Sequence, residues 1–386
     1  MKRSVLFLEG QTVQTLPCLE SLKRKGYQTH IFCKTVSYGC HSRFTDQIQL
    51  TVDCQKDPLQ YKQDLLEYLE KHKIDVIVPM NDEVSPFTSK FKKEINKVSN
   101  VLIPQFEVFL KGFDKNQLMG VCKSIGIDHP KSCDLNRFTL KEASEYVGFP
   151  AIIKPNHTSG ARGMRVVNNY NDLQNYAPAI IKNFGDSHLQ TFVPAGGKQF
   201  KVQIFTDNKD IHISTAMEKI RFYPVSGGSS TCNITIENNE LVEMCSKILK
   251  HIGWVGFADF DLIQDPRDGR FKIMEINPRL PACIRTAFVS GIDFAEIIVD
   301  YTLTGAVKTY VYSPGKILRY FGLDLLWLLK AKQRSPFQNG WFNLFGRNVY
   351  YQDGSLKDPM PFVIGTIGNI KKLLNPEFKK AKQGLG

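Results

Sequence analysis

One stretch, Gly256 to Arg279, constrains the fold of this chain more than any other. It reads G-F-A-D-F-D-L-I, breaks at D-P-R-D-G, and resumes as R-F-K-I-M-E-I-N-P-R. Phe257, Phe260, Leu262 and Ile263, then Phe271, Ile273 and Ile276, supply apolar strand positions, and the Pro and Gly between them suit a reversal. The stretch therefore predicts a β-hairpin. A side-chain period of two puts Asp259 and Asp261 on one face of the first strand, and Glu275 and Asn277 on one face of the second. Three carboxylates and a carboxamide gathered in this way repel one another unless something positive sits between them. Oxygen donors suit a hard cation, and Mg²⁺ commonly arrives with a nucleotide phosphate. Arg279, two residues beyond Asn277, is placed as a phosphate-binding fork. The alternative is a half-exposed hairpin whose acidic face is simply solvated.

A second signal lies upstream. Phe149–Asn156, F-P-A-I-I-K-P-N, is an apolar strand carrying a single lysine, Lys154. A lysine in such a setting is costly unless an anion meets it. The loop H-T-S-G-A-R-G-M follows, and Arg165-Val166-Val167 resumes as a strand. Small residues between two strands make a hairpin whose backbone N–H groups can fold over phosphates. It is no P-loop, because G-x-x-x-x-G-K-[ST] is absent. Further on, Lys219 and Arg221 alternate onto one face of a strand, beside the Gly227–Ser230 turn. They read as an anion-binding pair, with Gly228 and Ser229 offering donors, or else as a solvated basic edge.

The first hundred residues alternate strand and helix: Ser4–Glu9, Thr15–Lys25, Gln28–Cys33, Gln47–Val52, Tyr61–His72 and Asp75–Pro79. That spacing predicts a parallel, doubly wound sheet. No G-x-G-x-x-G follows the first strand, which argues against a dinucleotide. Gly10-Gln11 and Asn81-Asp82-Glu83, at carboxyl ends of strands, are candidate substrate positions or loop caps.

These motifs together resemble the ATP-grasp superfamily. E-x-N-P-R at Glu275–Arg279 is similar to its metal-binding strand, and Asp261 matches its first metal-ligand strand. Lys154-Pro155 with Ser159, Gly160 and Gly163 matches its phosphate-covering loop, and Asp114-Lys115 opening a helix matches the start of its ATP domain. The resemblance implies an α/β chain, α+β in the nucleotide-binding part. Its expected domains are an N-terminal α/β domain (1–112), an ATP-grasp domain (113–305, lid about 135–195, metal-binding sheet about 196–280) and a C-terminal extension (306–386). It also implies that Lys115, Lys154, Ser159, Gly160 and Gly163 hold ATP phosphates. Thr191, Phe192 and Val193 would form the adenine hinge, and Gln199 would bond the ribose. Asp261, Glu275 and Asn277 would ligate Mg²⁺, with Mn²⁺ as a substitute. Arg279, Lys154, Lys219 and Arg221 would act in catalysis, and Arg221, Gly228 and Ser229 would face the substrate. The family commonly has glutamates at the Thr191 and Gln199 positions, and a carboxamide binds a ribose more weakly than a carboxylate.

The implied activity is an ATP-dependent ligase that activates a carboxylate as an acylphosphate and joins it to an amine. Alternatives are an enzyme resembling one half of carbamoyl-phosphate synthetase, although no internal repeat is visible, and a non-catalytic ATP-binding regulator or membrane-docked scaffold. A net charge of +12 favours acidic partners, and no nucleic-acid module is recognisable. Nine cysteines without a C-x-x-C pair fit reduced thiols in a cytoplasm. Residues 316–334 combine an apolar F-G-L-D-L-L-W-L-L with Lys316, Arg319, Lys330, Lys332 and Arg334. They read as a peripheral contact with the inner face of a membrane, or as a helix packed on the body. The family resemblance makes a homodimer the usual assembly.

Overall fold

A computed structural model describes residues 2–158, 160–209, 212–223, 229–330, 340–355 and 357–374. Ser159 and Gly228, both expected at the site, lie outside these residues, as do Lys332 and Arg334. Of Ser229 only the backbone is described.

Three sheets organise the chain. The first holds β1 (Ser4–Leu8), β2 (Gln28–Cys33), β3 (Gln47–Leu50), β4 (Val76–Pro79) and β5 (Asn100–Val101), all parallel, in the order β3-β2-β1-β4-β5. Unbroken apolar runs suit strands covered on both faces. In β1, Leu6 and Leu8 enter one core while Val5 and Phe7 enter another. Strand order reverses beside β1, with β2 and β3 to one side and β4 and β5 to the other. Such a reversal opens a crevice at the carboxyl ends of β1 and β4.

The second sheet holds β6 (Ser132–Asp134), β7 (Ala151–Pro155), β8 (Arg165–Val167) and β9 (Ser187–Thr191), antiparallel in the order β6-β9-β7-β8. Ala151, Ile153, Val167 and Leu189 pack against Ala143, Val147, Leu173 and Ala177 of the helices Leu140–Val147 and Tyr170–Phe184. Period two then leaves Ile152, Lys154, His188 and Gln190 on the opposite face.

The third sheet is built from β10 (Gln199–Thr206), β11 (His212–Tyr223), β12 (Ser229–Ile236), β13 (Gly256–Gln264), β14 (Phe271–Asn277), β15 (Ile317–Arg319) and β16 (Val349–Tyr351). Its order is β14-β13-β10-β11-β12-β15-β16. Phe200, Val202, Ile204, Ala258, Phe260 and Leu262 bury one face against Leu241, Cys245, Ile248 and Leu249 of the helix Asn239–Ile252. The other face carries Lys201, Gln203, Asp259 and Asp261, cross-strand neighbours in register.

The extension beyond residue 305 joins the body of the molecule: β15 pairs with β12, and β16 with β15, so it completes the third sheet. The helix Phe321–Lys330 packs on β11 and β12 and buries Asp324 and Trp327. Arg319, expected as a basic flank of a membrane-facing segment, is 1% exposed and bonded to Asp324 at 2.6 and 2.9 Å. The packed-helix alternative is therefore the one observed, because a buried carboxylate holds this helix to the sheet. Among the described residues, no helix is long and apolar enough to cross a membrane. Downstream, Asp358 accepts from Ser42 Oγ at 2.5 Å and from the Arg43 N–H at 3.1 Å, tying the extension to the first sheet's loops.

Candidate active site

The hairpin forms as its sequence dictates, with Asp259 opposite Asn277 and Asp261 opposite Glu275, and a register shift just past Asp261. The expected cluster is thus brought together, yet its charges are balanced by two lysines. Lys201 Nζ donates to Asp259 Oδ2 at 2.5 Å and to Asp261 Oδ2 at 2.9 Å, and Lys219 Nζ donates to Asp261 Oδ1 at 2.6 Å. Asn277 Nδ2 adds a bond of 3.1 Å to Asp261 Oδ2. Burial works against ionisation of Asp261, but Lys201 and Lys219 hold its carboxyl well below the usual range. Burial dominates at Asp259 and pushes it up to about 6, against the pull of Lys201.

The positive charge expected between these acids is supplied here by Lys201 and Lys219, not by a hard cation alone. Among the described residues, no group of three or more His, Cys, Asp or Glu side chains forms a ready metal cage. The donor chemistry still fits Mg²⁺, because Asp261, Glu275 and Asn277 offer oxygen on one face and Asp259 Oδ1 is buried without a hydrogen-bond partner. A cation here would take lone pairs of Asp261 that the lysine ammoniums now occupy.

Facing the hairpin are two buried lysines from different elements. Lys115 begins the helix Lys115–Ser124, whose cap is the Asp114 side chain accepting from the Gln117 N–H at 2.9 Å. Its ammonium donates to the Thr158 carbonyl at 2.7 Å and lies 3.5 Å from Glu275 Oε2, so it joins the loop after β7 to the metal-type hairpin. Lys154 on β7 is 7% exposed and makes no hydrogen bond or ion pair with a described residue. Burial lowers its ammonium to about 8; Glu275 opposes that and Lys115 adds to it. His188, cross-strand from Lys154, bonds Asn156 Oδ1 through Nδ1 at 2.8 Å and leaves Nε2 without a partner. Burial and then Lys154 lower it to about 3, so the ring is neutral. Both polar atoms of Gln190 are likewise buried and unpartnered. Unmet buried polar atoms cost about 1–3 kcal/mol each. Their concentration on the inward face of the second sheet is the signature of a polar ligand site.

The backbone after β7 is left-handed at Gly160 (φ 67°), Ala161 (φ 61°) and Gly163 (φ 73°). Thr158 Oγ1 braces it by donating to the Arg162 carbonyl at 2.9 Å. A Cβ on Gly163 would meet the Phe184 ring at 2.7 Å and Pro155 Cγ at 2.9 Å, whereas one on Gly160 would meet open space. Gly163→Ala is therefore expected to weaken ATP binding roughly tenfold, from a left-handed penalty of about 1–2 kcal/mol with a clash added. Gly160→Ala should do less. Titration of each variant with ATP, beside a melting curve, checks both.

At the expected hinge, the Thr191 N–H donates to the Lys131 carbonyl at 2.9 Å and the Phe192 N–H to the Pro150 carbonyl at 3.1 Å. Thr191 Oγ1 is turned to the Val147 carbonyl at 3.3 Å. These two N–H groups serve the lid itself, while no described residue bonds the backbone of Val193. Gln199 opens β10 opposite Lys219, on the face shared with Lys201.

The two arginines part company. Arg279 reaches the first sheet's β4 loop, where Nε and Nη2 bond the two oxygens of Asp82 at 2.9 and 3.0 Å. Arg221 is not at the substrate face. It is 2% exposed, its Nε and Nη2 bond Asp324 at 2.7 and 2.9 Å, and its guanidinium lies 5.4 Å from the centre of the Trp327 ring. Register shifts on both sides of Arg221 let Lys219 and Arg221 diverge in spite of their spacing. Sequence reasoning missed Lys201, His188, Gln190 and the Asp82 partner. The first three did leave a trace, since K-V-Q-I and H-L-Q alternate polar with apolar residues as strands do when one face meets a site.

Comparison with known proteins agrees with this geometry. Residues 114–301 match the family described as the carbamoyl-phosphate synthase L chain, ATP binding domain. The carbamoyl phosphate synthase large chain of Clostridium perfringens is 21% identical over 309 residues, covering 77% of this chain but 28% of its own length. The chain thus spans little more than a quarter of that relative. Among solved structures, the biotin carboxylase domain of Hydrogenobacter thermophilus 2-oxoglutarate carboxylase, in complex with MgADP and bicarbonate, aligns with a TM-score of 0.68. It is 15% identical, with 82% of this chain and 74% of that one covered. The L-amino acid ligase of Bacillus licheniformis aligns with a TM-score of 0.61 at 14% identity, covering 78% and 74%. Lid, phosphate loop, E-x-N-P-R hairpin and the family match over residues 114–301 lead to one conclusion: residues 114–301 are similar to the ATP-binding domain of the ATP-grasp superfamily.

Proposed function

We propose that the protein is an ATP-dependent ligase that activates a carboxylate as an acylphosphate and transfers the acyl group to an amine. The observation that carries this reading is the convergence of Lys115 and the unpartnered Lys154 on Glu275 beneath the Thr158–Gly163 loop. Two buried ammoniums beside a carboxylate-rich hairpin suit the triphosphate of ATP better than any group of the protein itself. Val193 would offer its free backbone to the adenine, and Gln199 a hydrogen bond to the ribose. Asp261, Glu275 and Asn277 would hold Mg²⁺, which when bound offsets phosphate charge.

The carboxylate oxygen of the first substrate attacks the γ-phosphorus, the bond to the β-phosphate oxygen breaks, and ADP leaves. A neutral amine then attacks the acyl carbon, expels inorganic phosphate and gives up its proton. Lys154 and Lys115 orient the phosphates, and Lys219 and Arg279 stabilise negative charge on the carboxylate and the acylphosphate. Catalysis of this kind is mainly positioning and electrostatic stabilisation. The decisive experiment is Mg²⁺-dependent ADP release across a panel of carboxylates paired with amines. Stimulation by one pair identifies the reaction. ATP binding without turnover across the panel would favour a non-catalytic regulator, a reading supported by the two lysines that already satisfy Asp261.

Lys154 also predicts a pH dependence. Its folded value near 8 lies below the ordinary 10.5, so the unfolded chain binds more protons between those values and this group's contribution to stability rises with pH across that window. Binding to phosphates needs the charged form. ATP affinity is therefore expected to fall about tenfold from pH 7 to pH 9. The slope should flatten in Lys154→Met, as read by calorimetric titration at each pH.

A further inference from the structure

The crevice at the carboxyl ends of β1 and β4 holds a set of buried polar groups that includes none of the expected ATP-binding residues. Glu9, directly after β1, is fully buried and adopts a left-handed backbone with φ 52°. Its Oε2 accepts from Gln11 Nε2 at 2.7 Å, while its Oε1 has no partner. Gln11 is 8% exposed, and its Oε1 is also unpartnered. At the rim, Lys34 Nζ bonds Asp53 Oδ2 at 2.9 Å and Glu83 Oε2 at 2.5 Å. Two carboxylates thus share one lysine, and Glu9 beside them has none of its own, in a protein whose net charge is +12.

Burial raises the Glu9 carboxyl from its ordinary value; an ionised carboxylate and a carboxamide oxygen only accept hydrogen bonds, so a partner that keeps Glu9 ionised must donate. The excess of negative charge asks that it be cationic. An ammonium group, with three donors on a compact charge, matches both requirements. The position is also telling. Glu83 follows Asp82, and Asp82 holds Arg279 at the E-x-N-P-R hairpin, so the crevice and the phosphoryl-transfer site share the Asn81–Glu83 loop.

The nucleophilic amine of the proposed ligase must be neutral when it attacks, and a nest of carboxylates would keep it protonated. We propose, resting on the ligase reading above, that this crevice binds a second, protonated amino group of the amine substrate. The amine substrate is accordingly a diamine or a basic amino acid rather than a monoamine. One end is anchored at Glu9, Gln11 and the Glu83 rim, and the other, neutral end is presented to the acylphosphate beside Arg279.

The test pairs each dication with a monoamine of matching length: 1,4-diaminobutane with n-butylamine, and L-lysine with L-norleucine. Titration calorimetry without ATP or carboxylate is run on the full chain and on Glu9→Gln, with Glu83→Gln as a second variant if the first melts early. Expected are at least tenfold tighter binding of one dication than of its twin, and loss of that preference in the variant. In turnover, Glu9→Gln should raise KM for the amine at least tenfold with KM for ATP unchanged. Equal binding within each pair, no binding of any dication, or a preference that survives both substitutions overturns the assignment. The two readings fail separately. Selective dication binding with no ADP release under any condition upholds the crevice and removes the ligase. ADP release driven by monoamines and indifferent to Glu9 upholds the ligase and removes the crevice.

Discussion

Glu275→Ala is expected to lower Mg²⁺-dependent ADP release by about 10³-fold, the scale seen when one electrostatic stabiliser of a transition state is removed. Two roles meet in this carboxylate. It is an oxygen donor opposite Asp261, and it is the anion beside which Lys115 and Lys154 sit when no phosphate is present. Folding should be untouched, because the side chain is 32% exposed and its ion pair with Lys115 is long, at 3.5 Å. Pairs of that sort contribute at most about 1 kcal/mol. ATP binding measured in parallel separates the outcomes. Retained binding with lost turnover places Glu275 at the phosphoryl transfer. Turnover within a few-fold of the parent would remove Glu275 from the metal set and, with it, the role given to the hairpin.

Asp324→Ala should produce the largest loss of stability in the molecule, about 3–5 kcal/mol, as is usual when one partner of a buried ion pair is deleted. Asp324 is fully buried and accepts from Arg221, Arg319 and Thr231. Trp327 covers the Arg221 guanidinium, Trp341 covers that of Arg319, and the Arg319 Nη1 also donates to the Trp341 carbonyl at 2.9 Å. Removing the carboxylate leaves two guanidiniums inside with no counter-charge. The measurement is a thermal melt combined with limited proteolysis, and cleavage is expected to begin in the segment after residue 305. An unchanged melt and protease pattern would mean that the seam carries no strength. Because Arg221 belongs to this seam, KM for the carboxylate substrate in whatever Asp324→Ala protein remains folded should match the parent.

Much of the architecture was legible from period and punctuation alone. The strand Gln28–Cys33 appears with the bounds its sequence suggests, and the parallel first sheet follows from strand and helix alternating over short spacings. The hairpin face was also legible, since two strands in register can only place Asp259, Asp261, Glu275 and Asn277 on one side. The extension after residue 305 was not. Its β15 and β16 have three residues each, too short for a periodic signal, and they become strands because β12 offers an open edge. The basic and apolar run at 316–334 likewise looked interfacial only because its decisive partner, Arg221, lies 103 residues from Asp324.

The sequence by itself determined which face the side chains of β7 and of the β13–β14 hairpin occupy, because strand pleat and turn chemistry are local and need no knowledge of the rest of the chain. It settled Lys154 as a lysine in an apolar strand, the glycines of the phosphate-type loop, and the acidic face of the hairpin. Only the tertiary structure decided which charge meets which. Lys201 and Lys219 satisfy Asp261, Asp82 holds Arg279 from 197 residues away, and Asp324 draws Arg221 out of the substrate face. The reason is physical: a Coulombic partner is chosen by distance in space and by the water excluded between packed elements, and neither quantity is written in the spacing of residues along a strand.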